Sequence, residues 1–253
     1  MYDNVMLTLL IVMVCHAPSQ IASVEAPQGV VSFRIVDDQG DPIPGRLTFI
    51  DSTGLTKNIF PNPYANPTKL AVRDYAVYTI DGHGEITVPE GSWDIVASHG
   101  IEWSIDSTHI DVVDGGSYEW TAKLVHEIDT IDWVSGDFHL HTLTHSGHGD
   151  AIMNERIISI IGEGVEFAVA TDHNHNTDYQ PIIDGLHANE HLTAVVGNEV
   201  STNYGHLNIF PLDASARVVD QSLPAPALFA LIRAEQNPFG VVPRSEERRA
   251  GKE

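Results

Sequence analysis

The segment 136–150, with the sequence GDFHLHTLTHSGHGD, is the feature that most constrains how this chain can fold. It contains four histidines and two aspartates, and the largely apolar stretch 131–134 precedes it in the manner of a buried strand. Because successive side chains of a strand point to opposite faces, His139 and His141 are expected on one face. Two imidazoles on one face can bind a zinc, iron or manganese ion. The alternative is a histidine-rich surface loop that binds nothing.

The composition limits the classes of function. The chain has 253 residues, and its 35 acidic and 13 basic side chains give a formal net charge of −22. This charge disfavours non-specific binding to nucleic acid or to an anionic membrane, so no nucleic-acid partner is expected. An anionic substrate would need a local positive centre, which a metal cluster could supply. The only cysteine, Cys15, excludes disulfide frameworks, cysteine zinc sites and cysteine nucleophiles from the body of the protein.

The N-terminal segment 1–26 has the pattern of a signal peptide. Residues 5–15 (VMLTLLIVMVC) are apolar, but they are fewer than the roughly 20 residues of a stable membrane span. Small residues follow, and Ala26 marks a plausible cleavage site, although no basic residue precedes the apolar run. The pattern predicts a secreted or periplasmic protein. The alternative is an ordinary buried strand or helix.

Residues 28–125 alternate between short strands and turns. The apolar and β-branched runs predict strands at 30–36, 46–50, 86–88, 93–97, 107–113 and 118–125. Turn signals every 8–12 residues or so are typical of a β-sandwich. The phrases DDQGDPIPGR and GEITVPEGSWDIVAS resemble carboxypeptidase-regulatory-like and immunoglobulin-like modules, which implies a role in binding or packing rather than in catalysis.

The pattern changes near residue 131, where strands begin to alternate with helices. Strands are predicted at 133–140, 167–170, 192–196 and 206–210, and helices at 152–162, 181–190 and 226–235. Asp150 or Asn154 is expected to cap the first of these helices. The alternation predicts a mostly parallel sheet, so the fold class is an all-β sandwich followed by an α/β domain. In such folds the active site gathers at the C-terminal ends of the strands.

Candidate metal ligands recur where the predicted strands begin or end. Asp172 and His173 follow the strand 167–170, Glu199 follows 192–196, and His206 begins the next strand. Any one of these alone has an ordinary explanation, such as a buried histidine with a backbone partner or an aspartate that caps a helix. Together with the segment that carries His139 and His141, they make four such segments in series, which predict a metal site.

These residues carry a family resemblance. The segments HLHT at 139–142, TDHN at 171–174, GNE at 197–199 and GH at 205–206 resemble the polymerase and histidinol phosphatase (PHP) superfamily of metal-dependent hydrolases. The phrases DFHLHT, GVEFAVATDHNHNTDY and GHLNIFPL resemble its CehA/McbA-type branch. The resemblance covers about residues 133–242. It implies that 131–243 form part of a distorted, here incomplete, β/α barrel with two or three divalent zinc, manganese or iron ions.

The resemblance also implies roles for individual residues. His139 and His141 would hold one ion, and Glu199 would bridge it to a second ion. The full set of implied metal ligands is His139, His141, Asp150, His173, Glu199 and His206. Glu199, His173 and Asp172 are the implied catalytic residues, with Asp172 either orienting a ligand or binding directly.

The loop after His141 is longer than the family pattern, so His145 or His148 could replace Asp150. His175, Asp178 and Tyr179 lie beside the site in sequence and could contact substrate or be solvated.

The family's later N-H-P histidine and D-x-H pair are absent from the sequence. The last ten residues, RSEERRAGKE at 244–253, resemble the translation of a sequencing-library adapter; the alternative is a natural polar helix end. We therefore expect the natural chain to continue beyond Val242. We also expect the printed chain to be inactive or far weaker than one that carries the later ligands.

Taken together, the patterns predict an exported metal-dependent hydrolase of a small-molecule phosphoester or related ester, carbamates included. One alternative is a non-catalytic secreted binding or adhesion protein with a degenerate PHP barrel. Another is a purely structural metal site, which is usually closed and four-coordinate.

Overall fold

The computed structural model describes residues 26–56, 58–60 and 69–236, with side chains through residue 234. The predicted signal peptide up to residue 25 and the segment 244–253 lie outside the described residues. Within the described ranges, no helix has the length and apolar character needed to cross a membrane.

The first half of the described chain consists of strands arranged in two sheets. The strands are β1 (Gln28–Val36), β2 (Gly45–Asp51), β3 (Leu70–Arg73), β4 (Ala76–Thr79), β5 (His83–Pro89), β6 (Gly91–Ser98), β7 (Asp106–Val112) and β8 (Ser117–Lys123). One sheet has the order β5-β1-β8, with β1 antiparallel to β5 and parallel to β8. The other is antiparallel, with the order β3-β4-β2-β6-β7. The six predicted strands are present, and β3 and β4 are additional.

The inner faces of the two sheets form one apolar core, as a β-sandwich requires. Val31, Phe33 and Ile35 of β1 are buried, and they belong to the same cluster as Leu47 and Phe49 of β2. Each set occupies alternate positions of its strand, and alternate side chains share a face. The period-2 pattern of the sequence therefore places these side chains between the sheets.

The second half of the described chain combines a parallel sheet with an antiparallel hairpin. Its elements are β9 (Gly136–Leu140), α1 (Leu143–Ser146), α2 (Met153–Gly162), β10 (Phe167–Ala170), α3 (Gln180–Gly185), β11 (Thr193–Val196), β12 (Asn198–Thr202), β13 (Gly205–Ile209), α4 (Ala225–Leu231) and a π-helical turn (Ile232–Gln236). The parallel sheet has the order β11-β10-β9, and β12 pairs antiparallel with β13. The described strands do not close into a barrel.

Helix α2 lies between the sandwich and the parallel sheet. Its buried isoleucines, including Ile158 and Ile161, share one apolar cluster with Ala71 and Ile80 from the sandwich half and with Ala168 of β10. A helix with an apolar stripe on one side can cover only one sheet. Most residues of α2 are buried, so its buried surface extends beyond a single stripe. The two halves of the chain therefore share a core.

Polar and close contacts reinforce this junction. Arg73 of β3 and Glu155 of α2 form an ion pair of 3.3 Å, and their side chains are only 11% and 6% exposed. At the end of the helix, a Cβ added to Gly162 would lie 2.9 Å from the carbonyl oxygen of Gly45. Glycine thus allows the backbone of α2 to approach β2 directly.

Two predictions at the start of the second half are wrong. Ile131, Trp133 and Val134 do not form a buried strand, because their exposed fractions are 78%, 78% and 67%. The chain turns at Asp132, whose φ is 67°, and the strand begins only at Gly136. Apolar character alone did not distinguish a turn from a strand here.

The predicted cap of α2 is also wrong. Neither Asp150 nor Asn154 occupies the N-cap position, which belongs to Ile152. The backbone N–H of Ile152 donates to the carboxylate of Glu155 at 3.1 Å, while Asp150 accepts from Arg156 at 2.8 Å. The carboxylate three residues into the helix therefore satisfies its first amide.

Candidate metal centre

Two neighbouring parallel strands bring the first candidate ligands together. His139 lies on β9 and His141 follows its end, while Asp172 and His173 follow the end of β10. Ala170 pairs with Leu140, so the C-terminal ends of β9 and β10 lie side by side. This arrangement is the one that the strand-end pattern predicts.

Glu199 reaches the same region by a different route from the one predicted. It lies within β12 rather than at the tip of β11, and β12 pairs with β13, which carries His206. Gly197 lies between β11 and β12, and a Cβ there would lie 2.6 Å from the carbonyl oxygen of Ala170. The absence of a side chain at this position lets the chain leave the sheet close to β10 and start the hairpin.

Three ligand atoms form a nearly equilateral triangle. Nε2 of His139 lies 3.0 Å from Nε2 of His141 and 3.1 Å from Oε2 of Glu199. Nε2 of His141 lies 3.0 Å from the same oxygen. Two ligands that each lie about 2.0–2.1 Å from one ion, at angles of about 90–110°, are separated by about 2.8–3.4 Å. The triangle therefore has the dimensions of one face of a metal coordination sphere.

The other oxygen of Glu199 faces a different histidine. Oε1 lies 2.9 Å from Nδ1 of His206, and Nδ1 of His173 lies 3.5 Å from Oε2. The ligand atoms of His173, Glu199 and His206 all lie within 4.8 Å of one another. Because both oxygens of one carboxylate face imidazole nitrogens, Glu199 has the geometry of a bridge between two ions.

A third group of ligand atoms contains His148 instead of Asp150. His141, His148 and His173 have ligand atoms within 4.8 Å of one another. The Asp150 side chain is 68% exposed and pairs with Arg156, and it belongs to none of the three groups. The structure thus brings together five of the six predicted ligands. At the sixth position it favours His148, one of the two alternatives that the sequence left open.

His145, the other alternative, stacks against a second histidine. The ring centroids of His145 and His175 are 3.8 Å apart, with an interplanar angle of 12°. Neither residue belongs to the three ligand groups. Nδ1 of His175 lies 2.9 Å from the hydroxyl oxygen of Thr177.

Asp172 is buried beneath the ligands and accepts four hydrogen bonds. The donors are the backbone N–H of Thr142 at 2.6 Å and the hydroxyls of Thr142, Ser146 and Thr177 at 2.8, 2.6 and 3.1 Å. These bonds use both carboxylate oxygens, so its geometry fits orientation of neighbouring groups better than direct metal binding. Ser146 and Thr177 have no distinguishing signal in the sequence, because hydroxyl residues beside a histidine motif are common in loops.

The environment keeps the Glu199 carboxylate in the ionised form that binds metal. Burial alone would raise the pKa of Glu199, but hydrogen bonds from His141 and His139, with the charge of His173, outweigh it and lower this pKa to about 2. Burial lowers the pKa of His173, although the carboxylate of Glu199 opposes that effect. An ionised carboxylate and neutral imidazoles are the required ligand forms.

The remaining predicted contact residues have structural roles. Asp178 accepts from the backbone N–H of Gln180 at 2.9 Å, at the start of α3. Tyr179 is 1% exposed, and burial, reinforced by the charge of Asp172, raises its pKa above the usual range. Neither residue is placed as an open substrate contact.

A separate cleft lies where the sandwich meets α2. Its volume is about 470 Å³, and its lining includes His99, Trp103, His126, Glu163 and His191. It contains none of the metal-centre residues.

Comparison with known proteins finds no matching family model and no matching curated protein. Partial likenesses to solved structures include the Bacillus anthracis TIE protein (14% identity, TM-score 0.29, 44% of this chain and 18% of that one). A Streptococcal ancillary pilin has 15% identity and a TM-score of 0.31 over 40% of this chain and 33% of the pilin. Phospholipase PlaB from Legionella pneumophila has 13% identity and a TM-score of 0.26 over 43% of this chain and 27% of that one. This chain thus spans about a fifth to a third of those proteins.

Proposed function

We propose that this protein is an exported metal-dependent hydrolase of a phosphoester or a related ester. The observation that carries the proposal is the position of Glu199. Its carboxylate is 1% exposed, with one oxygen in the triangle with His139 and His141 and the other beside His206. A carboxylate in this position can bridge two cations.

The donor set fits divalent zinc, manganese or iron. It consists of imidazole nitrogens and carboxylate oxygen without thiolate, which suits borderline and hard metal ions. Held by His139, His141, Glu199 and His206, such ions would supply activation of water and charge stabilisation for ester hydrolysis.

The residues of the chain hold and orient the centre. His139 and His141 present their Nε2 atoms to the first position, and His206 presents Nδ1 to the second. Glu199 remains ionised at neutral pH, since its pKa is lowered to about 2, and it supplies negative charge to both positions. Burial lowers the pKa of His173, which favours the neutral form that can act as a ligand.

The number of donors argues for a reactive centre over a structural one. A structural zinc site is usually closed by four ligands, whereas six residues contribute to the three groups here. The ordered segments HLHT, TDHN, GNE and GH support membership of the PHP superfamily and its CehA/McbA-type branch. As part of the same proposal, β9, β10 and β11 would be the beginning of a distorted β/α barrel. Their parallel arrangement supports that interpretation.

Metal content and hydrolysis test this function together. The printed chain and a chain that continues beyond Val242 would be purified without metal and titrated with zinc and with manganese. Aryl phosphate monoesters and diesters, an aryl carboxylic ester and an aryl carbamate would then serve as substrates. We expect at least two ions in the longer chain and metal-dependent hydrolysis of at least one substrate class.

Matched variants separate the centre from non-specific effects. Glu199→Gln should remove both metal binding and hydrolysis, whereas His109→Gln, an exposed histidine on β7, should change neither. Metal bound without hydrolysis of any substrate would favour a binding or adhesion protein. Absence of metal binding in both chains would reject the proposal.

A further inference from the structure

The buried carboxylate of Asp172 contacts two histidines indirectly, each through one hydroxyl group. We infer that Asp172 is a positioning residue that fixes the tautomers of His141 and His175 through Ser146 and Thr177. The His141 part rests on the proposed function, because His141 is a metal ligand there; the His175 part does not depend on metal.

The first connection runs through Ser146. Its hydroxyl donates to Oδ1 of Asp172 at 2.6 Å and accepts from the backbone N–H of His173 at 3.1 Å. A serine hydroxyl has one proton and two lone pairs, so after these bonds it can only accept from a further partner. That partner is Nδ1 of His141 at 3.3 Å, which must therefore carry a proton.

The second connection runs through Thr177 and has the same logic. The Thr177 hydroxyl donates to Oδ2 of Asp172 at 3.1 Å. Its oxygen lies 2.9 Å from Nδ1 of His175, and this nitrogen must be the donor because the hydroxyl proton is already used. Each oxygen of the Asp172 carboxylate thus determines, through one hydroxyl group, which nitrogen of a histidine carries the proton. Oδ1 acts on His141 and Oδ2 acts on His175.

The direction of these bonds follows from charge and distance. An ionised carboxylate accepts hydrogen bonds and does not donate them, and hydrogen bonds to charged acceptors are shorter and stronger than neutral ones. The 2.6 Å contact of Ser146 with Asp172 is the short one, and the 3.3 Å contact with His141 is the long one. The Ser146 hydroxyl therefore donates its proton in a hydrogen bond to Asp172 and not to His141.

Asp172 itself is held firmly. Its side chain is fully buried, and the backbone N–H and hydroxyl of Thr142 donate to Oδ1 and Oδ2 at 2.6 and 2.8 Å. Rotation of the carboxylate would break all four bonds at once. The orientation of Asp172 is thus set by the loop that carries His141.

The consequence for His141 concerns the metal-facing atom. A proton fixed on Nδ1 makes Nε2 the nitrogen that can give a lone pair to an ion, and Nε2 is the atom in the triangle with His139 and Glu199. Without an ion, Nε2 lies 3.0 Å from the ionised Glu199 carboxylate and donates to it. Hydrogen bonds to the other ring nitrogen of a metal-binding histidine commonly fix its tautomer in this way. For His175, the same logic leaves Nε2 as a hydrogen-bond acceptor beside His145.

Nitrogen NMR tests the inference without any assay of hydrolysis, on the metal-free chain for His175 and on the zinc-loaded chain for His141, whose Nε2 donates to Glu199 when no ion is bound. At about pH 8, where imidazoles are mostly neutral, long-range ¹H–¹⁵N spectra distinguish a protonated Nδ1 from a protonated Nε2. We expect His141 and His175 of the parent chain to be protonated at Nδ1. Ser146→Ala should change the Nδ1 signal of His141 alone, because that nitrogen loses its hydrogen bond, and Thr177→Val should shift only His175 toward the Nε2–H form.

Ser201→Ala is the matched control. The Ser201 hydroxyl also lies 2.7 Å from an imidazole Nδ1, that of His173, but it is not connected to Asp172. This variant should leave the tautomers of His141 and His175 unchanged. In each variant, the unaffected histidine reports that the local fold is intact.

A metal titration provides the second measurement. Ser146→Ala should weaken zinc binding about 10–100-fold, the cost of losing an outer partner of a ligand, while Thr177→Val should change it little. Parent spectra without a protonated Nδ1 at His141 and His175, or variants that leave both Nδ1 signals unchanged, would overturn the inference. A chain that binds no metal but has His175 protonated at Nδ1 would support the positioning role and reject the proposed hydrolase.

Discussion

Glu199 and His206 meet diagonally across the β12–β13 hairpin, with Oε1 of Glu199 2.9 Å from Nδ1 of His206. In the backbone register, Glu199 pairs with Asn208 and Ser201 pairs with His206, so the two ligands share one face of the hairpin. One side of the proposed metal centre is therefore formed by residues close in sequence. The other side depends on His139 and His141, which must be brought in from the end of β9.

Glu199 faces both of the proposed ion positions, whereas His139 faces only one. Substitution of Glu199 should therefore affect metal binding differently from substitution of His139. Glu199→Gln should reduce the affinity for both ions by more than about 100-fold, which exceeds the usual cost of removing an outer partner. His139→Gln should weaken one ion and leave the other. Calorimetric titration and metal analysis of the purified variants measure this difference. Equal stoichiometries in the two variants would contradict a bridge.

Acid should release the metal. A histidine must be neutral to bind, so affinity falls as the pH drops below about 6.5, the usual imidazole pKa. The pKa of Glu199 is lowered to about 2, so its carboxylate stays ionised through this range and the histidines alone set the slope. Zinc titrations between about pH 5 and 8 should show affinity rising with pH. A flat profile would argue against histidine ligands.

The buried ion pair between Arg73 and Glu155 predicts a large stability effect. Arg73→Met should lower the free energy of unfolding by about 3–5 kcal/mol, because it leaves a buried charge without its partner. Lys69→Met is the control, since the Lys69–Asp81 pair is partly exposed and should contribute less than about 1 kcal/mol. Urea denaturation followed by circular dichroism compares the variants. Similar losses in both would show that the junction pair is not buried in solution.

The shared core around α2 predicts the effect of a cavity. Ile157 is fully buried, and Ile157→Ala should cost about 2–5 kcal/mol of unfolding free energy. Ile152, at the start of the same helix, is 41% exposed, so Ile152→Ala should cost clearly less. Thermal and urea unfolding measure both. A small effect of Ile157→Ala would place this helix outside the core.

Part of the centre could be read from the sequence because its geometry is local. The spacing of His139 and His141 places both on one face of a strand, and a short strand leads directly to His173. Glu199 was associated with the end of the wrong strand, since only the close approach of Gly197 to Ala170 shows that a new strand starts there. That approach depends on packing between distant segments and has no local signal.

Other features were missed for comparable reasons. The hairpin of β3 and β4 has a detectable pattern, with apolar runs on both sides of Asp74, whose φ is 43°, but its strands are only four residues long. The hydroxyls of Ser146 and Thr177 gain meaning only from the position of Asp172. Asp150 and His148 are both plausible ligands by spacing. Only the structure distinguishes these two candidate ligands, because Asp150 forms an ion pair with Arg156.

The burial of α2 against two sheets has a consequence for protein engineering. The half that carries the proposed metal centre cannot be excised as an independent unit, because a cut between residues 125 and 131 would expose the helix face that packs on Ala71 and Ile80. It would also leave Glu155 without Arg73. A graft of this centre onto another scaffold would need to provide a substitute for the outer face of the five-stranded sheet.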